Sequence, residues 1–242
     1  MAVDYKFKDK YNIEDLLDIM RILRAPGGCP WDAEQDHESI KKNFIEETYE
    51  VVEAINKKDT ELLKEELGDV MLQVVFHAVM EEEKGVFDLG DVADGVCKKL
   101  IERHPHVFGD ISVSNTDEVL SNWDAIKRNS KKQKTTTQAM DSVPREFPAL
   151  MRAEKLQSKA AKAGVDLKED ASAYITQKAS ALSSGIDEKN IGELLFAVVA
   201  AARKNGIDPE DALTKISDGF LADFGDYEKG TDEEKASAVF YN

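Results

Sequence analysis

Cysteine is almost absent: Cys29 and Cys97 are the only two in 242 residues. Two isolated thiols without CxxC spacing exclude a disulfide framework and read as reduced thiols in a cytoplasmic protein. Positive charge is also short, with 32 Lys and Arg against 48 Asp and Glu and a net charge of -16. Long-range electrostatics therefore disfavour nucleic acid and anionic membranes as partners. No apolar run approaches the roughly 18–20 residues of a membrane span. The amino terminus, MAVDYKFKDKYNIED, lacks the apolar core of a secretory signal. The expectation is a soluble chain without nucleic-acid or membrane partners.

What remains is helix-forming sequence, with 42% hydrophobic residues to build a core in one large or two small domains. Asn12 is placed to cap a helix over 13–24, which Ala25, Pro26, Gly27 and Gly28 end. A loop holding Pro30 and Trp31 leads to a second helix over 38–57. Asp59 caps a third that stops before Gly85, Asp88 a fourth that stops before Pro105, and Thr116 or Asp117 a fifth running through Trp123 toward Lys131. The stretch 131–147, with KKQKTTTQ and Pro144, has no sustained apolar period and reads as a linker. This gives an all-α chain with domains at 1–130 and 148–242.

Carboxylates concentrate on two of these helices. EETYE at 46–50 and EELGD at 65–69 place Glu47 with Glu50, and Glu66 with Asp69, at helical spacing on one face each. Like charges at that spacing cost a few tenths of a kcal/mol per pair, about 0.2–0.5 on an exposed helix, and no Lys or Arg lies within either motif. A solvated acidic face is the plain alternative. Against it stands an apolar stripe of Leu63, Leu67, Val70, Met71, Val74, Val75 and Ala78 on the same helix as Glu66 and Asp69, which makes this a packing surface. Oxygen-only donors beside such an interface suit a hard cation, Mg²⁺ with Mn²⁺ as the alternative, that keeps waters and accepts phosphate oxygens.

This pattern, together with GGCPWDAEQDHESI at 27–40, KKLIERHPHVFGD at 98–110 and EVLSNWDAIK at 118–127, resembles the MazG family of all-α nucleoside triphosphate pyrophosphohydrolases. The resemblance implies that Glu47, Glu50, Glu66 and Asp69 hold Mg²⁺. It also implies hydrolysis of a nucleoside triphosphate to monophosphate and pyrophosphate in nucleotide-pool housekeeping, and a homodimer. Glu46 is the first candidate for general base on the attacking water, with Glu65 the alternative. Lys99 and Arg103 are one turn apart and suit triphosphate oxygens; an ordinary cationic pair near a helix C-terminus is the plain reading. Trp123 matches a family tryptophan near base or sugar, and stacking or simple helix packing both remain open. His104 and His106 lack the partners for a zinc site, and His77 reads as a hydrogen-bonded core residue. Trp31 and Asp32 either cover the site or cap helix packing.

The second half repeats the first. ELGDVMLQVVFHAVMEEEKG at 66–85 is echoed by NIGELLFAVVAAARKNG at 190–206, and VFGD at 107–110 by DFGD at 223–226. These anchors set Asn190 and Glu193 opposite Glu66 and Asp69, and Gln177, Lys178 and Ala181 opposite Glu46, Glu47 and Glu50. Gly219 and Asp223 fall opposite Lys99 and Arg103. Apolar positions persist and chemistry does not, so the expectation is tandem helical units with a degenerate second copy. Two rivals stand beside the enzyme. A di-iron carboxylate bundle would need Glu-x-x-His, which neither motif has. A non-catalytic nucleotide-binding or assembly protein would suit the second half better than the first.

Overall fold

Asn12 starts the first helix as its chemistry dictates: its side chain accepts from the Asp15 amide, and the Asp15 carboxylate accepts from the Asn12 amide. The computed structural model describes residues 5–130, 135–166 and 170–228, and among these no strand occurs. The helices are α1 (Ile13–Arg24), α2 (Pro30–Glu34), α3 (Lys41–Lys57), α4 (Thr60–Glu82), α5 (Leu89–Arg103), α6 (Pro105–Phe108) and α7 (Thr116–Ser130), then α8 (Thr136–Asp141), α9 (Ala149–Lys162), α10 (Ala171–Ala181), α11 (Glu188–Lys204) and α12 (Pro209–Glu228). The chain divides into two compact units, Met1–Leu120 and Ser121–Asn242.

In the first unit α3 and α4 form a tight hairpin. Lys58 adopts the left-handed conformation at φ 56°, and the Asp59 side chain caps α4 by accepting from the Glu61 and Leu62 amides. One side of α4 builds the core. Val75, Phe76, Val79 and Met80 are buried with Met20 of α1 and with Ile40, and each large side chain contributes roughly 1.5–3 kcal/mol. Its other side stays apolar yet exposed, at Leu67 and Met71. The apolar stripe expected on this helix is thus split between an inner and an outer face.

Arg24 ties the end of α1 to this frame. Its guanidinium donates to both Glu83 carboxylate oxygens at 2.7 and 2.8 Å and to the carbonyls of Asp32 and Gln35, and stands 5.3 Å from the Phe76 ring centre. The loop expected around Pro30 and Trp31 is the short helix α2, held by those carbonyls. Gly28 has no alternative there, because a Cβ would sit 2.3 Å from the Ile22 carbonyl oxygen. The next helix begins at Lys41 rather than residue 38. Asp36 and Ser39 close a turn first, with the Asp36 side chain accepting from the Ser39 amide at 2.8 Å.

The segment expected as a linker is partly helical. Thr135 and Gln138 form a capping box that starts α8, and Ala139 and Val143 are buried. Residues 131–134 of that segment, and Lys131 at the expected end of the fifth helix, lie outside the described residues. In the second unit α11 packs against α10, α9 and α12, the same set of relations that α4 has with α3, α1 and α5.

His77 is half-buried and hydrogen-bonded. Its Nδ1 lies 2.7 Å from Nδ1 of His37, and the ring centres are 5.0 Å apart with planes 5° from parallel, the dimensions of an in-plane N–H···N contact. His37 Nε2 in turn meets Glu81 at 2.6 Å, and Lys84 also binds Glu81 at 2.7 Å. This chain pins the loop before α3 onto α4. Burial first, and then His37, hold the His77 imidazole below its ordinary value of 6.5. The folded state therefore binds fewer protons than the unfolded state just below that pH, and stability falls as pH falls through this window. The expected result is a thermal midpoint that declines less steeply between pH 7 and pH 5 in His77→Gln than in the unsubstituted chain.

Candidate functional site

The packing of α3 on α4 brings acidic side chains from both helices to one place. Glu47 of α3 and Glu66 and Asp69 of α4 each offer a carboxylate oxygen within 4.8 Å of the others. Glu50 lies near enough to Glu47 and Glu66 to act on the protonation of both. The spacing of three residues in each motif puts each pair on one helix face, and the hairpin turns the two faces together.

The energetic consequence shows in the protonation of these groups. Burial raises Glu47 above the ordinary carboxylate value, followed by a hydrogen bond with Glu50 and the charges of Asp69, Glu50 and Glu66. Burial likewise raises Glu66, followed by Glu50, Asp69 and Glu65. A hydrogen bond between two carboxylates needs a proton on one of them. The neighbouring side chains that raise Glu47 and Glu66 are all acidic. The donor set is oxygen only, closely grouped and anionic, which fits a hard divalent cation and does not fit a soft or zinc-type ion.

The remaining expected residues lie outside this close group. Glu46 and Glu65 are exposed on α3 and α4. Lys99 is exposed and Arg103 half-buried, one turn apart on α5, which packs against α4. Trp123 is half-buried on α7, with the Lys127 ammonium 4.7 Å from its ring centre. His104 ends α5, and its Nδ1 meets the Leu100 carbonyl at 2.6 Å, a structural role. Trp31 is exposed on α2. The side chain that sequence reading left unassigned is His37; its only sequence signal was a lone histidine in a turn.

The second unit holds a different arrangement where the first groups its carboxylates. Lys178 of α10 and Glu193 of α11, the positions set opposite Glu47 and Asp69, form an ion pair at 2.8 Å. The hydrogen bond to Glu193 raises Lys178, and the same bond lowers Glu193. Attraction stands here where the first unit groups like charges.

Residues 35–108, which span the α3–α4 hairpin and α5, match the MazG nucleotide pyrophosphohydrolase domain. Over 230 residues the chain is 41% identical to a nucleoside triphosphate pyrophosphohydrolase of Escherichia coli strain K12, covering 90% of this chain and 87% of that one. It is 41% identical over 217 residues to the nucleoside triphosphate pyrophosphohydrolase/pyrophosphatase MazG of Thermotoga maritima, with 87% and 83% covered. The protein YabN of Bacillus subtilis strain 168 is 44% identical over 226 residues, which cover 89% of this chain and 46% of YabN. With identity of this extent running through both units, the chain belongs to the MazG family of nucleotide pyrophosphohydrolases.

Proposed function

We propose that this protein hydrolyses nucleoside triphosphates to monophosphate and pyrophosphate with Mg²⁺, or Mn²⁺ in its place, held by Glu47, Glu50, Glu66 and Asp69. The observation that carries this reading is the convergence of Glu47, Glu66 and Asp69 across two helices. The names of the Escherichia coli and Thermotoga maritima relatives support the reaction class. When bound, the divalent cation supplies neutralisation of phosphate charge and acidifies water. Lys99 and Arg103 bind triphosphate oxygens and orient the chain of phosphates. Glu46, or Glu65 in its place, takes the proton from the attacking water. The water oxygen bonds to the α-phosphorus, the bridging α–β bond breaks, and pyrophosphate leaves. A base-holding role for Trp123 rests on the family resemblance.

The proposal extends to a homodimer. Ile45, Tyr49 and Val52 on α3 and Leu67 and Met71 on α4 are exposed beside the carboxylate motifs. Apolar surface of this extent marks a contact face. Nucleotide-pool housekeeping is the role that such a reaction serves.

Glu50→Gln and Asp69→Asn keep side-chain size and remove charge, so turnover is expected to fall by at least about a hundredfold while the helical fold survives. Glu47 and Glu66 have raised values in the folded chain, so their ionisation above the ordinary 4.5 opposes folding of the metal-free protein. Either substitution is therefore expected to raise the metal-free thermal midpoint at neutral pH. Triphosphate turnover near the unsubstituted rate in either variant would remove the metal assignment.

The site of attack is read from the products. Chromatography is expected to resolve monophosphate and pyrophosphate in equal amounts. Diphosphate with orthophosphate would mean attack at the γ-phosphorus and would reject the reaction proposed.

A further inference from the structure

The contact between His37 and His77 admits a fixed number of protons. Lys84 and His37 both meet the Glu81 carboxylate, at 2.7 and 2.6 Å, and these bonds, that of Lys84 first, hold Glu81 below the ordinary carboxylate value. An ionised carboxylate only accepts, so His37 Nε2 carries a hydrogen. Across the contact with His77 the two Nδ1 atoms stand 2.7 Å apart with the rings nearly coplanar, which leaves room for one hydrogen between them. With both rings neutral, His77 Nδ1 donates to the bare Nδ1 of His37. One added proton keeps the bond, because the charged ring donates and the neutral ring accepts. A second added proton puts an N–H on both facing nitrogens. They then repel, and the bond is lost.

The surroundings decide where that loss is felt. Among the described residues, the charged groups that face the pair are Glu81 and Lys84 at the end of α4 and Asp36 in the turn before α3. From α3, Phe44 meets His77 with ring centres 5.8 Å apart and brings no charge. From α1, Arg24 is taken up by Glu83 and by the carbonyls of Asp32 and Gln35. Glu81 is thus shared between Lys84 and His37, and no acceptor is added for a second imidazolium. His37 lies on the short span between the Gln35 carbonyl, held by Arg24, and Ile40, which is buried in the core. The Ile40 amide donates to the Asp36 carbonyl and the Phe44 amide to the Ile40 carbonyl, so the same span carries the first bonds of α3.

We propose that the His37–His77 contact is a proton-operated tie, closed while the pair carries at most one positive charge and open when both rings are charged, so that acid releases the 36–39 turn and the first residues of α3 from α4. The device acts on the helix that carries Glu47 and Glu50, and it stands whether or not those residues hold a cation. Burial of His77 places the opening below the ordinary imidazole range, because the closed state binds fewer protons than the open one.

Hydrogen exchange of the full chain without divalent cation, at pH 7 and pH 5 and corrected for the intrinsic pH dependence of amide exchange, tests the tie. Protection over 36–44 is expected to fall by at least about tenfold at pH 5, while that over 75–80 in the core changes by less than about threefold. His77→Gln has an amide that can donate to His37 or accept from it but takes up no proton, so protection over 36–44 is expected to stay within about threefold across the same range. If that variant does not fold, His37→Gln serves in its place. Nitrogen NMR of the histidine rings is expected to show His37 protonated on Nε2 at pH 7. Unchanged protection of 36–44 in the unsubstituted chain overturns the proposal, as does an equal acid loss in the folded variant. So does an equal loss over 75–80, which would mean global unfolding, or a neutral His37 with its hydrogen on Nδ1.

Discussion

Mutual repulsion of carboxylates across the α3–α4 hairpin is the constraint around which the first unit is arranged. Helix packing supplies what opposes it. Val75, Phe76, Val79 and Met80 anchor α4 to α1, and Arg24 joins the ends of α1 and α4 through Glu83 and Phe76. The His77–His37–Glu81 chain fixes the approach to α3 on the same helix. With the helices held in this way, burial first, and then the neighbouring acidic groups, raise Glu47 and Glu66 above the ordinary carboxylate value. A group of anions that the fold forces together is a group that a divalent cation stabilises.

The two units state the same principle with opposite signs. Both set a long central helix, α4 or α11, against three others. Where α3 and α4 present acidic side chains to each other, α10 and α11 present Lys178 to Glu193. Where α4 fills its core with Phe76, α11 has Ala200. Packing relations are thus alike in the two units while the side chains set opposite each other differ.

Much of this was legible in the sequence because caps and spacing are local signals. Asn12, Asp59 and Asp88 start their helices, and the ExxE and ExxD spacings place their carboxylates together. Other features depend on contacts that spacing does not carry. The α2 helix is held by Arg24 from a neighbouring helix end, and the late start of α3 follows from a side-chain turn at Asp36 and Ser39. The α8 helix did carry a local signal, Thr135 three residues before Gln138, but its polar composition masked a capping box. His37 could not be paired with His77 from sequence, because 40 residues separate them.

Ion binding tests the proposed divalent-cation site on α3 and α4 without reference to catalysis. Titration of the full chain with Mn²⁺, followed by electron paramagnetic resonance of the free ion, is predicted to show saturable binding that is lost in Glu47→Gln and in Glu66→Gln and retained in Lys178→Ala. Failure of the unsubstituted chain to bind Mn²⁺, or equal binding by both Gln variants, would contradict it.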